Sequence, residues 1–189
     1  MNRNLKYITG ELTKRINYLF EELAKDYIQL VFEKESEICS FGVFTDSDIS
    51  NFFFGYNTIE YQNIIYDEEV DNNKWWIPDW KNGIDDLVFS SDQREIELFN
   101  ILKELKNLID YSDDEKSKKH FVNYKEDVFH LICQSLERLK TQKVFNNINA
   151  DFFMLIQESD NGIYGTREQS LSLILTQKQL DEYKGFSEL

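Results

Sequence analysis

Histidine and cysteine, which carry most proton transfer, nucleophilic attack and metal ligation, number only two each in 189 residues. On one helix His120 and His130 stand about 80° from a common face, and neither completes a zinc-ligand pattern. Cys39 and Cys133 each lie in apolar sequence far apart, which reads as two buried free thiols in a reducing setting. A Cys-His pairing of one thiol with one histidine is possible only through space. There is a single proline, Pro78, and only seven glycines. No G-x-S-x-G, Walker loop or G-x-G-x-x-G occurs, so no catalytic residue is nominated and no cofactor is expected. No apolar run reaches the ~18 residues of a membrane span. The first residues, Met1 to Lys6, lack the apolar core of a signal peptide, so a cytoplasmic location is expected.

Positive charge is also scarce. The chain carries 35 acidic and 21 basic side chains, for a net charge of −14. The imbalance is local: residues 35–115 hold five basic and twenty acidic side chains, whereas 116–189 hold ten of each. A negative field repels nucleic-acid phosphates and anionic lipid and favours a basic protein partner. The alternative reading is that the acidity serves solubility alone. With 41% hydrophobic and 15% aromatic residues the chain is too apolar for disorder. Its length suits one domain over 1–189.

The first segment predicts a long amphipathic helix. Leu5, Ile8, Leu12, Ile16, Leu19, Leu23, Tyr27 and Leu30 follow steps of three and four, with Gly10 inside as a weak point. Residues 37–45 predict a strand covered on both faces, Asp46-Ser47-Asp48 a turn, and 51–56 a second, antiparallel strand. Asn57-Thr58 predicts the cap of a short helix ending near Asp67. Further on, Ser90 with Gln93 and Asn123 with Glu126 read as capping boxes of two more helices. The first of these carries Ile96, Phe99, Leu102, Leu105 and Ile109. The second runs to Lys140 and buries Val128, Leu131, Ile132, Leu136 and Leu139. Residues 112–119 between them read as a surface linker. Phe152 to Ile156 predicts a central strand, and Thr166 with Gln169 a last helix through Leu175. The alternation Leu171, Leu173, Leu175 would equally suit a strand. The fold class expected is α+β, with a three- to five-stranded sheet flanked by helices.

Two stretches compete for function. Asp46 and Asp48 form a D-x-D that could hold a divalent cation, but a hard cation needs about six oxygen ligands, and the turn reading is preferred. All three tryptophans lie in Trp75-Trp76-Ile77-Pro78-Asp79-Trp80, beside Asp85 and Asp86. Aromatics are both the largest core side chains and the commonest interface anchors, so one or two should be buried and another can face a partner. Trp75, Trp76, Trp80, Asp79, Asp85 and Asp86 are therefore the nominated partner-binding residues.

The succession of a long N-terminal helix, a strand closing on Thr45-Asp46-Ser47-Asp48 and the later Trp76-Ile77-Pro78-Asp79-Trp80 resembles the bacterial family called domain of unknown function 4303. The likeness implies an α+β fold and no established activity. The chain also resembles small acidic proteins encoded beside bacterial toxins, which neutralise basic nucleases by covering them. The expectation is an acidic protein-binding module, an immunity protein for a basic toxin, that binds neither nucleic acid nor membrane. The alternatives are a metal-dependent enzyme using Asp46 and Asp48, and an oligomeric scaffold built on the first helix.

Overall fold

The computed structural model describes residues 8, 10–49, 51–66, 73–75, 77–81, 92–109, 115–145, 148, 151–159 and 167–187. Helix α1 spans Gly10–Lys34 and buries Ile16, Leu19, Phe20, Leu23, Ala24, Tyr27, Ile28 and Val31. Most of the predicted stripe is there, with two differences. Gly10 opens the helix instead of interrupting it. Leu30 is 47% exposed, because the buried face at the C-terminal end is carried by Tyr27, Ile28 and Val31, which are rotated away from it.

Strands β1 (Ile38–Thr45), β2 (Phe52–Thr58) and β3 (Phe153–Glu158) form a sheet of order β2-β1-β3. The turn at 46–49 makes β1 and β2 antiparallel, as predicted, whereas β1 and β3 pair in parallel. The continuous apolar run of β3 suggests a central strand. The central strand is β1, and β3 is buried on both faces because helices and the tryptophan segment cover it. On one face, Phe41 and Phe54 pack against Tyr27, and Phe20 packs against Phe52 and Phe54, so α1 lies across the sheet.

Helix α2 (Ile59–Tyr66) starts as predicted, with Thr58 Oγ1 accepting the Tyr61 N–H at 3.3 Å. Helix α3 (Gln93–Asn107) has Asp92 as its N-cap, one residue before Gln93, so Gln93 is the first helical residue and closes no capping box. Asp92 accepts the Arg94 N–H at 2.8 Å. Leu98, Leu102, Leu105 and Ile109 are buried, while Ile96 is 40% exposed. The Arg94 guanidinium, with the capping N–H, holds the Asp92 carboxyl below the usual aspartate range. A depressed carboxyl contributes stability above its unfolded pKa and loses it as pH falls through the lower folded value. Asp92→Ala should cost about 1 kcal/mol at neutral pH. In urea unfolding the difference from wild type should shrink on acidification below the ordinary aspartate value.

Helix α4 (Glu115–Thr141) corrects two expectations. The charged residues 115–119, read as linker, form its first turns. Asn123 is mid-helix, donating to the Lys119 carbonyl at 2.7 Å, and caps nothing. Surface charges at 115–119 disguise a helix whose apolar contacts with the core start at Phe121 and become continuous from Tyr124. From Tyr124 to Cys133 all but Lys125 are buried, so this stretch is a central helix with no solvent face. The predicted set Val128, Leu131, Ile132, Leu136 and Leu139 is all buried. Helix α5 (Arg167–Leu171) is short and gives way to turns, so neither the longer helix nor the strand considered for 171–175 forms. Helix α6 (Gln177–Ser187) follows and docks Leu180 and Tyr183 in the core.

Candidate functional site

The second face of the sheet positions the tryptophan segment. In parallel and antiparallel register alike, Gly42 stands beside Leu155 and opposite Gly55, so this face dips at its middle. Two 3-10 turns, Asn73–Trp75 and Ile77–Asp79, lay the chain over that dip. A Cβ placed on Gly42 would stand 2.7 Å from both Ile77 Cδ1 and Trp80 Cζ3. The segment is fastened along its length. Gln157 of β3 donates to the Trp75 carbonyl at 2.9 Å and accepts the Ile77 N–H at 3.0 Å, satisfying two backbone groups that no strand pairs. Trp80 Nε1 donates back to the Lys74 carbonyl at 3.1 Å. Lys74 pairs with Glu182 of α6 at 2.6 Å, and Lys81 pairs with Glu35 at 2.7 Å.

Trp75 and Trp80 are each 3% exposed. Trp75 packs on Phe153 and Tyr183 with centroids at 4.7 and 5.6 Å, and Trp80 meets Phe153 at 5.9 Å. Both indoles are core anchors that hold the segment down, and burial takes them off the surface. Asp79 ends the second 3-10 turn. Trp76, Asp85 and Asp86 lie outside the described residues.

At the carboxyl ends of β1 and β3 the D-x-D forms a turn, with the Ile49 N–H donating to the Asp46 carbonyl at 3.0 Å. Asp46 accepts from Asn51 at 2.7 Å, and Asp48 forms an ion pair with Lys106. The two carboxylates thus engage different partners. Among the described residues no group of three or more His, Cys, Asp or Glu is placed to hold a metal ion. Ile49 has φ 51° and is fully buried, a left-handed conformation that is strained for a β-branched residue.

Beneath this turn lies a charge cluster. Glu158 is 1% exposed in its side chain and meets Lys125 at 3.2 Å and the Arg167 guanidinium. Arg167 also stands 3.5 Å from Glu126 and over the Phe129 ring. Lys125 donates to the Ser47 carbonyl at 2.8 Å, tying the cluster to the D-x-D turn. Burial pushes the Glu158 carboxyl up, and Arg167 and Lys125 oppose the shift. Sequence reading missed this group because its members lie on α4, β3 and α5, brought together only by the fold. His130 Nδ1 is 2.9 Å from Ser170 Oγ in the adjoining core.

At the opposite, amino-terminal ends of β1 and β3 there is a groove of about 520 Å³. Cys39, Gln62, Lys74, Trp75, Asp151 and Glu182 are among its walls. The Cys39 thiol donates to Gln62 Oε1 at 2.9 Å, and burial pushes it up to about 11. Full burial likewise raises the Cys133 thiol well above its ordinary value. Both free cysteines are therefore in the unreactive thiol form near neutral pH.

A family model described as "Domain of unknown function (DUF4303)" matches residues 12–167. No curated protein and no solved structure matches the chain.

Proposed function

The chain thus belongs to the domain of unknown function 4303 family, and we propose that it is an acidic protein-binding module of the cytoplasm, an immunity protein that neutralises a basic bacterial toxin. The observation that carries this reading is where the basic side chains of residues 35–115 are spent. Only five offset twenty carboxylates there. Four of the five are already in ion pairs: Lys74 with Glu182, Lys81 with Glu35, Arg94 with Asp26 and Asp92, and Lys106 with Asp48. Lys74 is spent on Glu182 outside the segment, Arg94 is shared between Asp26 outside it and Asp92 inside it, and Arg15 from α1 covers Glu97, so the fifteen-charge excess of the segment stands. That excess suits rapid, electrostatically steered association with a positively charged surface.

The test is affinity capture from the source organism at low and high salt, with the bound proteins identified by mass. The expected result is a strongly basic partner, encoded beside this chain, whose toxicity is suppressed by co-expression. Capture of acidic or neutral partners only, or co-expression without protection, contradicts the proposal. No helix among the described residues is long and apolar enough to cross a membrane.

A further inference from the structure

We infer that the phenylalanine-lined cavity between α1, α3 and β2 receives a lysine side chain of the basic partner, with Glu95 as the carboxylate that meets its ammonium. This rests on the reading above and gives it an address. The cavity, of about 40 Å³, lies beside β2, an edge strand of the sheet. That is room for about three water-sized groups, enough for the end of a slender side chain. Phe20, Phe52, Phe53, Phe54 and Phe99 line it, and Phe53 and Phe99 are half-buried. Glu95 is the one charged residue among the described lining.

This carboxylate has no partner inside the fold. Its Oε2 is closed to solvent and accepts no hydrogen bond. The basic residues closest in sequence to the walls are spent elsewhere, Arg94 on Asp92 and Asp26 and Lys25 on Glu22, and Arg15 is spent on Glu97. Lys103 is exposed and lines no part of the cavity; it sits two turns from Glu95, about 12 Å along the helix, where solvent and salt screen it. Burial, and after it the neighbouring Asp92, push the Glu95 carboxyl up, and among the described residues no cation opposes them. An acidic side chain suits the first turn of a helix, but there Asp92 already caps the Arg94 N–H. A leucine at 95 would complete the apolar wall without a buried charge, so the carboxylate weakens the free protein. An arriving ammonium supplies the missing counter-charge, while its apolar stem lies against the rings, which attract the cation themselves. The planar fork of a guanidinium is broader, so this small space favours lysine.

The experiment is a nuclear magnetic resonance titration of the isotope-labelled full chain at low salt. The probes are blocked lysine, blocked norleucine, which keeps the stem without the charge, and blocked glutamate. Lysine should shift the backbone amides of 52–54 and 95–99 and bind about tenfold more tightly than norleucine. Glutamate should not bind there. Glu95→Gln and Glu95→Leu should each abolish that preference. Glu95→Leu should also raise the urea midpoint of the free chain, whereas loss of a structural carboxylate would lower it. Equal binding of lysine and norleucine, a lysine preference that survives both variants, a lowered midpoint, or no lysine response at these amides overturns the assignment. The captured partner separates this failure from that of the broader reading. A basic partner that binds Glu95→Leu as tightly as wild type overturns the cavity assignment and leaves the acidic module standing. Capture of no basic partner overturns the reading itself, and the assignment with it.

Discussion

Replacing Arg167 with methionine should destabilise the protein by about 3–5 kcal/mol, the largest effect expected from any single substitution considered. Arg167 is 4% exposed and, among the described residues, is the guanidinium that reaches Glu158 and Glu126 together. Without it the buried Glu158 carboxylate faces Lys125, which is also held by the Ser47 carbonyl. The pH dependence gives a second signature. Burial already raises the Glu158 carboxyl against the pull of Arg167 and Lys125. Removing the guanidinium raises it further. A carboxyl with a raised folded pKa contributes stability that is fully present below the ordinary glutamate value and is lost as pH rises through the folded one. The variant should therefore lose stability relative to wild type as pH climbs above the ordinary glutamate range. Urea midpoints measured from mildly acidic to neutral pH show this; a pH-independent deficit would mean that lost packing on Phe129, not the buried charge, dominates. Pairing the change with Glu158→Gln should recover part of the loss, because the two residues share one interaction.

Gly42→Ala carries the second large effect. A methyl group there would stand 2.7 Å from both Ile77 and Trp80, closer than packed atoms tolerate. Trp80 cannot retreat freely, since its indole N–H is bound to the Lys74 carbonyl and its ring edge rests on Phe153. The segment must lift, at a cost of about 1–3 kcal/mol. Gly42→Val should be worse, because its branched side chain fills the dip. Tryptophan emission should shift to the red as the indoles of 75 and 80 gain water, while far-ultraviolet circular dichroism stays near wild type. An unchanged emission spectrum with wild-type stability would show that the segment does not rest on Gly42.

These two sites illustrate what the amino-acid pattern could and could not reveal. The stripe from Ile16 to Tyr27 is legible because burial on a face repeats with the period of the helix itself, and β1 because a short, largely apolar run closed by turn residues suits a strand covered on both faces. The Thr58 cap of α2 is equally local. The parallel pairing of β3 with β1 is not, since more than a hundred residues separate the partners and nothing in Phe153–Glu158 records which edge it joins. The same applies to Gln157: an isolated glutamine in an apolar strand gives no hint that it holds two backbone groups of residues 75–77. Helix α6 was missed for a different reason. It buries few residues, but Thr176 and Gln179 do form a T-x-x-Q capping box, with Gln179 Oε1 accepting the Thr176 N–H at 2.9 Å and Thr176 Oγ1 accepting the Gln179 N–H at 3.3 Å. That signal was available. The start of α4 was hidden by charges that suit a helix surface as well as a linker.

Of the candidate site, the concentration of carboxylates was plain from composition, and so was the clustering of tryptophan. Their division of labour was not. Trp75 and Trp80 are anchors beneath the surface, which leaves polar and charged groups around them to meet a partner. Glu95 carries no pattern in the sequence, because a carboxylate is ordinary in the first turn of a helix and its phenylalanine neighbours come from α1, β2 and α3.

The central claim is that association is driven by the acidic surface. It is tested most directly by the association rate of the captured partner, measured by stopped flow between about 0.05 and 0.5 M salt. A rate that falls by one to three orders of magnitude across that range, with a much smaller change in the dissociation rate, is the predicted result. A rate that stays constant within a factor of about two over the same range would contradict it.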